Sequence, residues 1–127
     1  MIRQIKSGEG WRLGWNPAAA EFSGLVSGDR WAMELTGAEF RDFCRCARRL
    51  DDTMQAMAEA LMAEESLTCE QETSLLWLEA AGFPTAYSLR FILLSGRGGE
   101  GEWPARATRE LAIALKAPPF ASIGSNL

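Results

Sequence analysis

Gly96, Gly98 and Gly101 satisfy G-x-G-x-x-G between a strand-like run and a helix-like run, the setting in which such a loop cradles a dinucleotide pyrophosphate. The rest of that chemistry is missing. No strand comes after the last helix to complete a parallel unit, and Glu100 and Glu102 would set negative charge against the phosphates. These residues read as a strand-to-helix turn. The chain has no histidine, which removes the commonest general base and metal ligand together. Cys44 and Cys46 lie two apart on a helix and face different directions, so with Cys69 they make neither a disulfide framework nor a zinc knuckle. Reduced thiols in a cytoplasmic protein are expected. There is no G-x-S-x-G elbow, no P-loop and no carboxylate pair at an informative spacing; Glu70 and Glu72 share one face of what reads as an exposed edge strand. Neither catalysis nor a cofactor is expected.

The remaining chemistry is cationic and aromatic. Arg12, Arg30 and Arg90 fall opposite the apolar alternation of three strand-like runs, and Lys6 and Arg97 could join them. Trp11, Trp15, Trp31, Trp77 and Trp103 all lie in or beside such runs. Large aromatics fill small cores, but open tryptophan faces beside cations would also stack the bases of a single-stranded nucleic acid. Against this, seventeen carboxylates outnumber thirteen basic side chains, which disfavours polyanion binding by the surface as a whole. A third cluster, Arg41, Arg45, Arg48 and Arg49, lies early on a helix that carries Glu59, Glu64 and Glu65 late, and both placements oppose the helix dipole. Asp52 can pair with Arg48 and Arg49 in a solvated, salt-bridged face. An anion could also dock there, or two copies of the helix could lie antiparallel. The antiparallel pair uses both anomalies, which predicts a homodimer through Arg41, Arg45, Arg49, Leu50, Met57 and Leu61.

The element that must position these groups is the helix expected over residues 36–65. Thr36 and Glu39 form a capping box, Leu35 and Phe40 a hydrophobic staple, and no proline interrupts the run behind them. Phe40, Phe43, Ala47, Leu50, Met54, Met57 and Leu61 recur at spacings of three and four and make one apolar face. Before it, period-two alternation predicts strands over residues 11–15, 22–26 and 30–35, the last two forming a hairpin that feeds the helix. After it come strands over 67–70, 75–78 and 86–95, a glycine-rich turn, and a shorter helix over 105–117 that Pro118 and Pro119 end. The strand over 86–95 is apolar on both faces in its second half and should be central.

The expected fold is therefore α+β: curved antiparallel sheet of six or seven strands, one long central helix and one short C-terminal helix. The halves share an order of strands then helix, a possible duplicated unit. Residues 1–117 read as one domain and 118–127 as a frayed tail. No stretch approaches the roughly 20 apolar residues of a membrane span, so no membrane partner is expected.

The strings SGEGWRLGW, WAMELTGAEF, LLWLEAAGFPTAYSLRF and SGRGGEGEWP resemble a cyanobacterial and plastid family known only as domain of unknown function 1818. That family's fold is similar to the Whirly proteins and the single-stranded-DNA-binding transcriptional coactivators. The resemblance implies curved antiparallel sheets followed by helices through which units pair, and it implies no ligand residues. The expected function is a non-enzymatic protein-interaction or assembly factor with an unidentified protein partner, with single-stranded nucleic acid on the sheet face as the alternative.

Overall fold

Four strands and a helix, repeated once, account for the chain. The computed structural model describes residues 3–62 and 64–125, with Leu61 and Met62 described by their backbone alone. Strands β1 (Gln4–Gly8), β2 (Trp11–Trp15), β3 (Gly24–Ser27) and β4 (Ala32–Leu35) form one antiparallel sheet in that order, and helix α1 (Gly37–Met57) comes next. Strands β5 (Leu67–Glu72), β6 (Leu76–Phe83), β7 (Ala86–Leu93) and β8 (Glu100–Trp103) form a second antiparallel sheet, succeeded by helix α2 (Ala105–Leu115). The α+β class and the order of strands, long helix, strands, short helix are those expected from the sequence. Eight strands replace the six or seven expected. β1 escapes sequence reading because it is an edge strand, exposed along most of its length and without alternation. β8 escapes it because it begins inside the glycine-rich turn.

α1 starts where its capping box places it. The Thr36 side chain accepts from the Glu39 amide at 3.2 Å, and the Glu39 carboxylate accepts from the Thr36 amide at 2.9 Å. The helix is α-helical to Met57 and continues as a π turn over Ala58–Met62, shorter than the expected 36–65. Its stripe of Phe40, Phe43, Cys44, Ala47, Leu50 and Met54 is buried within the chain. α1 packs on β5 and β6 and reaches β3, while α2 packs on β7 and touches β1 and β2, so each helix ties the two sheets together.

Four of the five tryptophans are structural. Trp103 is fully buried, donates to the Ser27 carbonyl at 2.9 Å and packs with Phe43 and Phe91. Trp11 is buried and donates to Glu110 at 3.1 Å; Trp31 covers Gly101 and donates to the Glu102 carbonyl at 3.2 Å. Trp15 stacks on Phe40 at 5.3 Å. Each indole nitrogen in the first three thus has a partner on another element, as the buried Trp11 and Trp103 require and the half-buried Trp31 also finds.

The expected frayed tail takes a different form over its described part. Pro118 and Pro119 end α2 and turn the chain back onto α1, where Phe120 is fully buried with its ring 6.3 Å from that of Phe40. Arg48, expected on the solvated face with Asp52, points instead at this segment. Its guanidinium donates to the carbonyls of Leu115 at 3.4 Å, Phe120 at 3.2 Å and Ile123. Asp52 pairs with Lys116 at 2.8 Å.

Candidate binding face

Strand alternation divides each sheet into a core face and an open face. In the first sheet Leu13 and Val26 are buried inward, so Gly14 and Leu25 face out. Register then aligns Ile5, Gly14, Leu25 and Glu34 in a single row across all four strands. Gly14 keeps the middle of that row low: a Cβ there would lie 3.2 Å from the Leu25 Cβ and 3.8 Å from Ile5 Cγ1. The segment 16–23 stands beside the row, pinned by the Asn16 amide donating to the Ser23 carbonyl at 2.7 Å. Its Phe22 carries the Arg97 guanidinium 5.0 Å above the ring. The result is a groove of about 550 Å³ lined by Ile5, Gly14, Leu25, Ala32, Ala19 and Phe22, with Arg3 at its β1 end and Glu34 at its β4 end. No residue of either helix lines it. Ile5 is 46% exposed.

The open face of the second sheet is acidic. It carries Glu70, Glu72, Glu79, Glu100 and Glu102 with Arg90, whose cross-strand neighbours are Glu79 and Glu102. Arg90 reaches Glu100 at 3.8 Å and lies 5.8 Å above the Trp77 ring, while the Trp77 indole donates to Glu70 at 3.0 Å.

Two buried carboxylates hold the frame. Burial alone would raise the pKa of Glu39, but hydrogen bonds from Ser95, the Thr36 amide and Arg97 outweigh it and keep this carboxyl below its ordinary value. Ser95 Oγ donates at 2.5 Å, and Arg97 donates both to Glu39 and, at 3.1 Å, to the Glu34 carbonyl. Asp51 obeys the same logic: burial raises it, Lys116 at 2.5 Å and the Tyr87 hydroxyl at 2.7 Å lower it, and the net direction is down. Burial, reinforced by Asp51, pushes the Tyr87 phenol up. Burial also takes the Cys44 thiol up to about 12, so it packs as an apolar group. Among the described residues no group of Cys, Asp and Glu is arranged to hold a metal ion.

The cations expected to gather for nucleic acid do not form one surface. Arg12 is exposed on the open face of the first sheet, Arg30 lies in the β3–β4 turn, and Arg90 is on the other sheet among glutamates. Lys6 is half-buried and shares the core side of its row with Leu13, while Arg97 is committed to Glu39 and the Glu34 carbonyl. The expected dimer stripe is also used inside the chain. Leu50 is 1% exposed, Met57 is half-buried, Arg45 pairs with Asp42 at 2.9 Å, and Arg41 and Arg49 are exposed; the Leu61 side chain lies outside the described residues. What sequence reading missed is Ile5 and Leu25. The available signal was Gly14, a glycine inside a strand between two tryptophans, which marks a place where another group approaches closely.

The sequence profile of the domain of unknown function DUF1818 matches residues 6–117. The chain belongs to the DUF1818 family. A search of curated proteins gives no match. Among solved structures, the DUF1818 chain is similar to a crystal structure from Prochlorococcus sp. NATL2A, described as a protein with unknown function from the DUF155 family. The two are 30% identical with a TM-score of 0.83, over 91% of this chain and 97% of that one. No helix among the described residues is long and apolar enough to cross a membrane.

Proposed function

We propose that the DUF1818 chain is a non-enzymatic protein-binding module whose first sheet receives an apolar surface of a partner protein. The observation that carries this reading is the open row Ile5, Gly14, Leu25, an apolar floor that neither helix covers. Apolar surface left in water costs about 25 cal/mol per Å², and a concave uncovered patch is where a partner recovers it. The single-strand reading, which rested on an expected likeness to Whirly proteins, needs phosphate contacts beside a stacking platform. Trp77, on the open second sheet, instead has Glu70 and Glu72 beside it and Arg90, itself flanked by glutamates, over its ring. Titration with oligothymidylate at low salt is therefore expected to leave tryptophan emission unchanged; salt-sensitive quenching would revive the nucleic-acid reading.

The direct test is affinity capture from the native cell with nuclease treatment, using wild type and Leu25→Asp as paired baits. Leu25 is half-buried on the open face, so the substitution places a charge on the floor and leaves the core intact. The expected result is a protein retained by wild type after nuclease and lost from Leu25→Asp. Identical capture by both baits, or loss of all capture with nuclease, would overturn the reading.

A further inference from the structure

We infer that the occupant of the groove is an amphipathic α-helix of a partner protein, laid across the four strands of the first sheet with its N-terminus at Glu34 and its C-terminus at Arg3. The inference rests on the protein-binding reading and supplies the partner's chemistry. The backbone decides the kind of segment. Strands β2 and β3 pair on both sides, and β1 and β4 keep unpaired amides and carbonyls only along their outer edges, so the floor itself offers side chains alone. An extended peptide lying on that floor would bury backbone groups without partners, whereas a helix satisfies its own. Size agrees with this. Four strands spaced about 4.8 Å apart make a row about 14 Å long, the rise of about ten helical residues. Three apolar side chains at i, i+4 and i+7 would then meet Leu25, Gly14 and Ile5 in turn.

Charge sets the direction. A helix presents partial positive charge at its N-terminus and partial negative charge at its C-terminus. Glu34 ends the row on β4, and Arg3, two residues before Ile5 on the β1 side of the groove, lies near its other end, so the two charges complement these in one orientation only. Among the described residues a second copy of this chain does not offer such a helix. The apolar stripe of α1 is buried in its own core, and the outward residues of α2 are Arg106, Arg109, Glu110 and Ile113, with Lys116 just past its end.

The test uses the full chain and a fluorescein-labelled synthetic peptide of about twelve residues. Its host is alanine with a few charges, with leucine at i, i+4 and i+7, lysine in the first turn and glutamate in the last. Fluorescence anisotropy is expected to give a dissociation constant of about 10–100 μM. Binding should weaken at least about tenfold in Leu25→Asp, and likewise in Ala32→Arg, which changes an exposed rim position and so protects the test against misfolding of the first variant. A peptide with the same composition and its leucines scattered around the helix should bind equally weakly. Glu34→Lys should invert the preference between the peptide and its charge-reversed form. No saturable binding, equal binding of the scattered peptide, an extended bound peptide by NMR, or self-association of wild type abolished by Leu25→Asp would each overturn the inference. Loss of nuclease-resistant capture in Leu25→Asp without peptide binding would sink the helix and spare the protein-binding reading. Unchanged capture would sink both.

Discussion

Truncation of the DUF1818 chain after Ala117 is expected to cost about 5 kcal/mol, enough to leave much of the population unfolded near physiological temperature. Removing a buried aromatic side chain costs roughly 3–5 kcal/mol through lost transfer energy and the cavity left behind. Phe120 is fully buried against Phe40, and Ile123 is buried beside it. Truncation also takes the Phe120 and Ile123 carbonyls from Arg48, leaving a half-buried guanidinium with the Leu115 carbonyl as its remaining acceptor in that set. Hydrogen bonds to a charged group are worth about 1.5–3 kcal/mol each, and total stability of such a domain is about 5–15 kcal/mol. Urea unfolding of the truncated chain and of Phe120→Ala checks this, with about 3–5 kcal/mol expected for the point variant. An unchanged midpoint in the truncated chain would show that the segment adds nothing to the fold.

That segment also marks where sequence reading stops. α1 was legible because the signals that specify it are local: a capping box, a staple and a 3.6-residue stripe all read off consecutive residues. The alternating strands β2, β4 and β7 were legible for the same reason. Phe120 was not, since a lone aromatic after two prolines has no period, and its place is fixed by Arg48 on a distant part of the chain. The three carbonyls that orient Arg48 likewise carry no sequence signature. β1 and β8 were hidden because an edge strand needs no apolar alternation to pair. The binding face depends on register across four strands, in which Ile5, Gly14, Leu25 and Glu34 become neighbours although they are about ten residues apart in the chain. The arginines failed as a group for a related reason. Alternation says which face of a strand Arg12 or Arg90 occupies, but not that the two strands belong to different sheets.

Glu39→Gln is expected to lower stability by about 3 kcal/mol at pH 7 and by much less in acid. Glu39 is 2% exposed and receives donors from three places: the Thr36 amide, Ser95 and Arg97. Glutamine keeps one acceptor but turns an NH₂ group toward donors and removes the charge that Arg97 meets. Breaking a buried pair by deleting one partner costs about 3–5 kcal/mol. The lower end applies because the Arg97 side chain is 36% exposed and can take up water. The direction of the shift sets the pH dependence. Glu39 titrates below its unfolded value of about 4.3, so its contribution is complete above that pH and disappears as pH falls through the folded value. Wild type should therefore converge on the variant as the pH falls below the unfolded carboxyl value of about 4.3 and through the lower folded value. Asp51, also depressed, adds to the acid sensitivity of both proteins and cancels in their difference. Urea unfolding of the pair across this range is the measurement, and a gap that stays constant would mean that the charge of Glu39 contributes nothing. The same substitution reaches the groove. Arg97 lies over Phe22, and Glu39 and the Glu34 carbonyl are its hydrogen-bonded anchors. Loosening it should free the wall that segment 16–23 forms and weaken the helical peptide several-fold at pH 7, while Asp51→Asn, at a residue that does not line the groove, leaves peptide affinity unchanged.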